Sequence, residues 1–187
     1  MKKYSPVKAA SADNQQVDVI SKSESPENNQ ITTLENLKKK IGSLGNDPVQ
    51  FAQKLLSLLA KEKEISQGIF FIAVNKKGKH VLKFLSGYAY ENPDMENQEI
   101  EFGDGFTGQV AKDAKLMNIS EVPEGYISIV SGLGKATPAS ILIFPVVNGK
   151  EVLAVIELAS FQRFTDEDES FFIEISSSIA DQLIKMS

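Results

Sequence analysis

The stretch Gly103-Asp104-Gly105-Phe106-Thr107-Gly108 separates two possible folds, because its glycines have the G-x-G-x-x-G spacing of a dinucleotide-binding fingerprint. A strand-like run at residues 99–102 precedes the stretch, and a short helical pattern at residues 106–114 follows it. In a dinucleotide-binding fold such glycines lie within a parallel sheet whose strands alternate with long crossover helices. The patterns on either side of the stretch therefore decide what these glycines do.

Those flanking patterns predict hairpins rather than crossovers. Residues 68–75 form a continuous apolar run, and residues 80–90 return after a Lys- and Gly-containing turn. Asn148-Gly149 is the strongest hairpin signal in the chain, and it joins two further strand patterns at residues 141–147 and 151–160. Amphipathic helix patterns flank the sheet, with start signals at Asp47-Pro48 and Thr165. The sequence therefore predicts an α+β fold with an antiparallel sheet and helices near its two ends.

Three regions are expected along the chain. Residues 1–30 are polar and balanced in charge, which predicts disorder. Residues 31–45 carry a capping-box pattern and one narrow apolar stripe, which predicts a short helical linker. That stripe can pack on its own domain or against a second copy of the chain. Residues 46–187 form the folded domain.

Composition removes several classes of function. The net charge of −5 over 187 residues argues against binding to nucleic acid, and the apolar runs are too short to insert into a membrane. The chain has no cysteine, which removes disulfides and thiolate chemistry and fits the reducing cytoplasm. The single histidine, His80, lies at a predicted hairpin turn. No nucleophile–base pair, metal constellation or cofactor site can be assembled from these residues, so we expect no enzyme activity, no metal and no cofactor.

Strand alternation singles out one carboxylate. In the strand at residues 151–160, Val152, Ala154, Ile156 and Leu158 are predicted on one face, and Leu153, Val155, Glu157 and Ala159 on the other. The apolar face is expected to carry the helices. Because a buried charge needs a partner or a wet cavity, Glu157 marks the face that lines a pocket.

Several ordered motifs resemble the GAF domain family over residues 47–186, especially GAF modules found beside bacterial sensor kinases. The resemblance rests on residues 102–111, on residues 118–123, on residues 141–146, on the closing strand at residues 155–160, and on Phe164-Thr165 with Asp168. It implies an antiparallel sheet of five or six strands, with terminal helices on one face and short helices and loops on the other. Family ligands bind under that second covering.

The same resemblance narrows the range of ligands that this chain is expected to bind. Family members that attach bilins or reduce free methionine sulfoxide use cysteines, which this chain lacks. Members that bind cyclic nucleotides have Asn-Lys where this chain has Ala159-Ser160, although Phe164 and Asp168 match the second half of their motif. Haem is disfavoured by the position of His80.

The function expected from these observations is a non-catalytic sensory module. It would bind an unknown small molecule under the loop at residues 126–136 and signal through helix-mediated homodimerisation, with a sensor kinase or another signalling protein as its partner. The candidate ligand contacts are Glu157, Tyr126, Ser131, Gly132, Ser140 and Tyr88. The alternative is a ligand-free scaffold for dimerisation or protein interaction, whose pocket is filled by side chains such as Phe102, Leu133 and Phe144.

Overall fold

A computed structural model of the chain describes residues 26–90, 98–131 and 134–187. Its helices are α1 (Pro26–Ile41), α2 (Pro48–Lys63), α3 (Gly105–Asp113) and α4 (Asp166–Met186). Its strands are β1 (Gln67–Lys76), β2 (Lys79–Tyr88), β3 (Glu99–Glu101), β4 (Met117–Ile119), β5 (Ile129–Ser131), β6 (Gly134–Ala136), β7 (Ser140–Asn148) and β8 (Glu151–Ser160).

Six of these strands form one sheet in the order β3-β2-β1-β8-β7-β4, and β5 pairs with β6 separately. Every pairing within the described strands is antiparallel. The predicted hairpins are present as β1–β2 and β7–β8, and the sheet has six strands. The α+β prediction is confirmed, and the glycine stretch does not belong to a parallel dinucleotide-binding sheet.

The long helices cover one face of the sheet and enclose what we call the helix-side core. Helix α2 begins after Asp47, whose side chain accepts a hydrogen bond from the Gln50 backbone N–H. Helix α4 begins with a complete capping box between Thr165 and Asp168. Among the fully or nearly fully buried members of the helix-side core are Ile41, Phe51, Leu55, Leu59, Phe70, Leu142, Phe144, Ile156, Leu158, Phe172, Ile175 and Ile179. This face supplies most of the apolar packing of the domain.

The opposite face carries a smaller apolar cluster, the cover-side core. Its sheet residues are Ile69, Phe71, Leu82, Ile141, Ile143, Val155 and Ala159. Val110 and Ala111 from α3 and Ile129 from β5 cover them. Helix α3 and the β4–β7 connection therefore cover this face, as the resemblance implied, and we call the described part of residues 126–136 in that connection the lid.

Helix α1 overlaps the predicted linker at residues 31–45. It begins at Pro26, inside the stretch predicted to be disordered, while residues 1–25 lie outside the described residues. Leu37 and Ile41 are buried in the helix-side core, and Lys38 forms an ion pair with Glu174 of α4. Leu37 and Ile41 of the narrow apolar stripe pack within the same chain, so the end of α1 is part of the fold.

A β-bulge changes the predicted alternation in β8. The register of the β7–β8 hairpin shifts between Val146 and Val147. On the turn side of this irregularity, Val152 packs against the cover-side core and Leu153 against the helix-side core, opposite to the predicted faces. Beyond the bulge the predicted alternation holds, and Glu157 lies on the cover side with Val155 and Ala159.

Within the described residues, no helix is both long enough and apolar enough to cross a membrane.

Candidate functional site

Glu157 is a buried carboxylate in the middle of the sheet. It lies in β8 between Ile69 of β1 and Ile143 of β7, and 5% of its surface is exposed. Both cross-strand neighbours are apolar members of the cover-side core. Burying a carboxylate among such groups is costly unless hydrogen bonds or a counter-charge compensate it.

Thr107 supplies the shortest of those hydrogen bonds. Its hydroxyl donates to Glu157 Oε2 over 2.6 Å, and Thr107 is itself 5% exposed. The glycine stretch places it there: Gly103 and Gly105 have positive φ angles of 104° and 60°, and a Cβ at Gly108 would overlap the Glu101 carbonyl oxygen. Glycine thus lets α3 approach the end of β3 closely, which brings Thr107 over the sheet.

Tyr126 completes the group from the lid. Its hydroxyl lies 3.4 Å from Glu157 Oε2 and 3.5 Å from Thr107 Oγ1. The Tyr126 ring packs against Phe106 with 5.1 Å between ring centroids, while 37% of the residue stays exposed. We call Thr107, Tyr126 and Glu157 the Glu157 cluster. It joins the sheet, α3 and the lid at one carboxylate.

The electrostatics of the cluster follow from its burial. Burial raises the pKa of Glu157 above its usual range, and the hydrogen bonds from Thr107 and Tyr126 only partly offset this. Burial, followed by the neighbouring charge of Glu157, also raises the pKa of Tyr126. None of the ion pairs formed by the described residues includes Glu157. The site is therefore a hydrogen-bonded carboxylate that lacks a cationic partner among those residues.

Gln67 is a second polar residue on the same face. The residue is 4% exposed. It pairs with Ala159 in the β1–β8 ladder and lies on the same face of β1 as Ile69. Its Nε2 donates to the Ala89 carbonyl oxygen over 3.1 Å. Its Oε1 is buried and has no hydrogen-bond partner in the described part of the chain. A buried acceptor of this kind ordinarily accepts a hydrogen bond, which a water or a ligand can supply.

The structure brings together only some of the residues selected from the sequence. Glu157 and Tyr126 are in contact. Ser140 and Tyr88 lie on the helix side: Ser140 Oγ donates to the Gln162 carbonyl and accepts from the Phe164 N–H, and Tyr88 packs against the helix-side core. Ser131 ends β5, while Gly132 lies outside the described residues.

The residues chosen as fillers of a closed pocket are also separated. Phe144 is fully buried in the helix-side core, Phe102 packs against the cover-side core, and Leu133 lies outside the described residues. Two cavities open elsewhere on the described surface. One of about 310 Å³ includes Lys63, Arg163 and Asp168, and one of about 320 Å³ includes Ile72, Leu153 and Met186. Neither cavity includes the Glu157 cluster.

Sequence reasoning missed Thr107 and Gln67. Thr107 stands inside the quoted glycine stretch, where the pattern drew attention to backbone conformation and away from the side chain. Gln67 lies just before the strand predicted from residue 68, at the expected end of the preceding helix. Strand alternation from Ile69 back to Gln67 is the signal that could have found it.

The chain is similar to solved structures of this fold at low sequence identity. A GAF domain from a Coxiella burnetii phosphoenolpyruvate-protein phosphotransferase superposes with a TM-score of 0.68 at 17% identity, covering 86% of this chain and 96% of that one. The GAF domain of an Acinetobacter phosphoenolpyruvate-protein phosphotransferase gives 0.67 at 15% identity, covering 84% and 94%. No curated protein matches the sequence at a significant level.

An enzyme of the same fold corrects one prediction. Free methionine-R-sulfoxide reductase from Neisseria meningitidis, solved with its substrate, superposes with a TM-score of 0.64 at 14% identity, covering 82% of this chain and 87% of that one. The prediction that the chain is not an enzyme was wrong, because this fold also carries catalysis and therefore gives no ground for excluding it.

The family assignment follows from fold and sequence together. The antiparallel sheet with helices on one face and a lid on the other is the fold of a solved GAF domain, which superposes with a TM-score of 0.63 at 18% identity. The family model described as "GAF domain" matches residues 45–183, which is most of the chain. The chain belongs to the GAF domain family.

Proposed function

We propose that this protein is a regulatory GAF module that binds a small molecule beneath the lid at residues 126–136 and passes the signal through helix-mediated homodimerisation. The Glu157 cluster is the observation that carries the proposal. A carboxylate with 5% exposure is held by a lid tyrosine and by a helix threonine, 3.4 Å and 2.6 Å from Oε2. A ligand that replaces the weak Tyr126 contact would reposition the lid and α3 together.

Of the residues selected from the sequence, Glu157 and Tyr126 remain the proposed ligand contacts, and Thr107 joins them. Backbone groups of Ser131 and Gly132 stay proposed contacts at the lid. Glu157 accepts from a ligand N–H or from a cation, since a carboxylate has acceptor sites beyond those used by two donors. Ser140 and Tyr88 do not enter the proposal, because they face the helices.

Dimerisation is proposed through the outer surface of α4. Ile173 and Ile184 are 58% and 44% exposed. They lie about three helical turns apart and so share one side of the helix. A second copy of the chain is proposed to cover these two apolar side chains.

A ligand screen with three matched proteins tests the binding site. Thermal unfolding of the wild type, Glu157→Gln and Glu151→Gln is measured with nucleotides, amino acids, 2-oxo acids and metal ions. Glu151 stands at the exposed start of the same strand, so its variant controls for the loss of a carboxylate. A ligand of the proposed site raises the midpoint of the wild type and of Glu151→Gln but not of Glu157→Gln. Equal stabilisation of all three proteins contradicts the role of Glu157.

Light scattering tests the dimer. We expect a dimeric wild type and a monomeric Ile173→Glu/Ile184→Glu variant. Val130→Glu is the control, because Val130 is 61% exposed but lies in β5 on the lid. A monomeric wild type at all accessible concentrations contradicts the dimerisation step.

The second candidate function is a ligand-free interaction scaffold. It is favoured by the closed state of the Glu157 cluster, whose carboxylate is contacted by the protein's own Thr107 and Tyr126. A dimer that forms normally while no compound stabilises the protein supports this candidate over the first. The sensor-kinase partner, the cytoplasmic location and the lack of nucleic-acid binding stay predictions.

A further inference from the structure

Two buried acceptors lie side by side on the cover side of the sheet. In the β1–β8 ladder, Gln67 pairs with Ala159 and Ile69 pairs with Glu157. Gln67 and Glu157 are therefore diagonal neighbours on one face, at a spacing of roughly 7–8 Å that long side chains bridge. Gly68 confirms the orientation, because a Cβ there would point at Leu56 and Leu158 of the helix-side core.

The two groups lack different partners: Gln67 Oε1 lacks a hydrogen-bond donor, and Glu157 lacks a cation. Gln67 Oε1 has no partner within the described part of the chain, although the residue is only 4% exposed. Glu157 has two hydroxyl donors but forms none of the ion pairs observed there. A buried carboxylate is ordinarily paired with a cation, and a buried amide oxygen ordinarily accepts a hydrogen bond.

We infer that Gln67 and Glu157 together form a recognition site for the primary ammonium group of a ligand, an inference that rests on the proposed function of the Glu157 cluster. An ammonium group carries one positive charge and three N–H donors. It supplies the missing charge to Glu157 and the missing donor to Gln67. The surrounding Ile69, Ile143 and Phe106 side chains select an apolar body for the ligand.

Three small probes separate the features of this ligand class. n-Butylammonium has the charge, the N–H donors and an apolar chain. n-Butanol keeps the chain without the charge, and tetramethylammonium keeps the charge without N–H donors. Each is titrated into ¹⁵N-labelled protein while the Gln67 side-chain NH₂ resonances and the backbone amides of Thr107 and Glu157 are followed by NMR.

We expect saturable shifts with n-butylammonium and none with the other two probes. Gln67→Met keeps the side-chain length and removes the acceptor, so binding of n-butylammonium weakens by about 10-fold or more, as for a lost hydrogen bond to a charged group. Gln182→Met is the matched control, because Gln182 is also buried, at 6% exposure, but lies in α4. It should bind like the wild type.

Several results overturn the inference. These are equal affinity of the wild type and Gln67→Met, equal shifts with tetramethylammonium, or no binding of n-butylammonium. The first result means that Gln67 Oε1 is satisfied by a buried water. If Gln67→Met does not fold, the Gln67 side-chain resonances of the wild type decide the question, and their failure to shift overturns the inference.

A parallel titration separates this failure from failure of the proposed function. Nucleotides and 2-oxo acids, which carry no alkylammonium group, are added to the same labelled protein. If one of them shifts the Thr107 and Glu157 signals while n-butylammonium does not, the inferred ammonium ligand is wrong, but the proposed binding site at Glu157 is supported. If none of these compounds shifts those signals, both the inference and the proposed binding function fail.

Discussion

The two faces of the central sheet bury polar groups in different ways. On the helix side, Ser140 is fully buried, and its hydroxyl both donates to Gln162 and accepts from Phe164. On the cover side, Glu157 is buried without an ion-pair partner among the described residues, and Gln67 leaves one acceptor unpaired there. The helix side also leaves one acceptor unpaired, Asn118 Oδ1, although the Asn118 amide nitrogen donates to Glu169 of α4. The two faces therefore differ in the buried carboxylate of Glu157 rather than in unpaired acceptors. The comparison assigns stability mainly to the helix side, whose core is the larger, and recognition to the face that carries this carboxylate.

Phe172→Ala tests the helix side and carries the largest expected effect. Phe172 is fully buried in α4, and its ring lies 5.2 Å from that of Phe144 and 6.2 Å from that of Phe164. Removing it leaves a cavity and should lower the free energy of unfolding by about 3–5 kcal/mol, measured by urea denaturation. Phe161→Ala is the control, because Phe161 is 48% exposed. If the two variants lose the same stability, the helix side is not the dominant core.

Thr107→Val tests the cover side with a smaller effect. Valine keeps the shape of threonine but cannot donate to Glu157, so the buried carboxylate loses its 2.6 Å hydrogen bond. A hydrogen bond to a charged group contributes roughly 1.5–3 kcal/mol, and we expect a loss of that size in urea denaturation above the folded-state pKa of Glu157. In Glu157→Gln the same Thr107→Val change should cost less, which a double-mutant cycle measures. Equal costs in both backgrounds show that the two side chains are not coupled.

The sequence predicts most of the fold because the decisive signals are local. Asn148-Gly149 forms a turn by itself, and Asp47 and Thr165 cap helices through bonds within one helical turn. Alternation places Glu157 correctly because it lies beyond the β-bulge. The same rule fails for Val152 and Leu153, because Leu153 is the extra residue of the bulge: Val146 pairs with Ala154, while Val147 pairs with Val152.

The site is less predictable, because its contacts are not local. Thr107 reaches Glu157 only because Gly108 allows α3 to approach the backbone of Glu101, and no sequence pattern states where a helix lies on a sheet. Ser140 is a candidate contact on parity and composition, yet it shares a face of β7 with Leu142 and Phe144 and so lies on the helix side. The alternation that places Glu157 in β8 excludes Ser140 when it is applied to β7.

The pH dependence of the free energy of unfolding tests whether the charge of Glu157 destabilises the cover side. The pKa of Glu157 is raised by burial above its ordinary value of 4.5, so the folded state holds the proton more tightly than the unfolded state. Stability from this group is present below pH 4.5 and is lost as the pH rises through the folded-state pKa. Each unit of pKa difference amounts to about 1.4 kcal/mol.

Glu157→Gln removes that titration. Measured by urea denaturation over a pH series, the variant should gain stability relative to the wild type as the pH rises, and the gain should level off above the folded-state pKa. Glu151→Gln, at the exposed start of the same strand, should run parallel to the wild type. A difference between Glu157→Gln and the wild type that does not change with pH contradicts the raised pKa.

Tyr126→Phe carries the smallest expected effect and sharpens the comparison most. The Tyr126 hydroxyl lies 3.4 Å from Glu157 Oε2, which is long for an O–H···O hydrogen bond, while its ring keeps the contact with Phe106 in the variant. We expect the free energy of unfolding to fall by less than about 1 kcal/mol, because a long, partly exposed bond contributes at the low end of the range. A larger loss, comparable with that of Thr107→Val, would mean that the tyrosine is a structural member of the cover side. A small loss leaves it as the contact that a ligand can displace at little cost, which is the property the proposed lid requires.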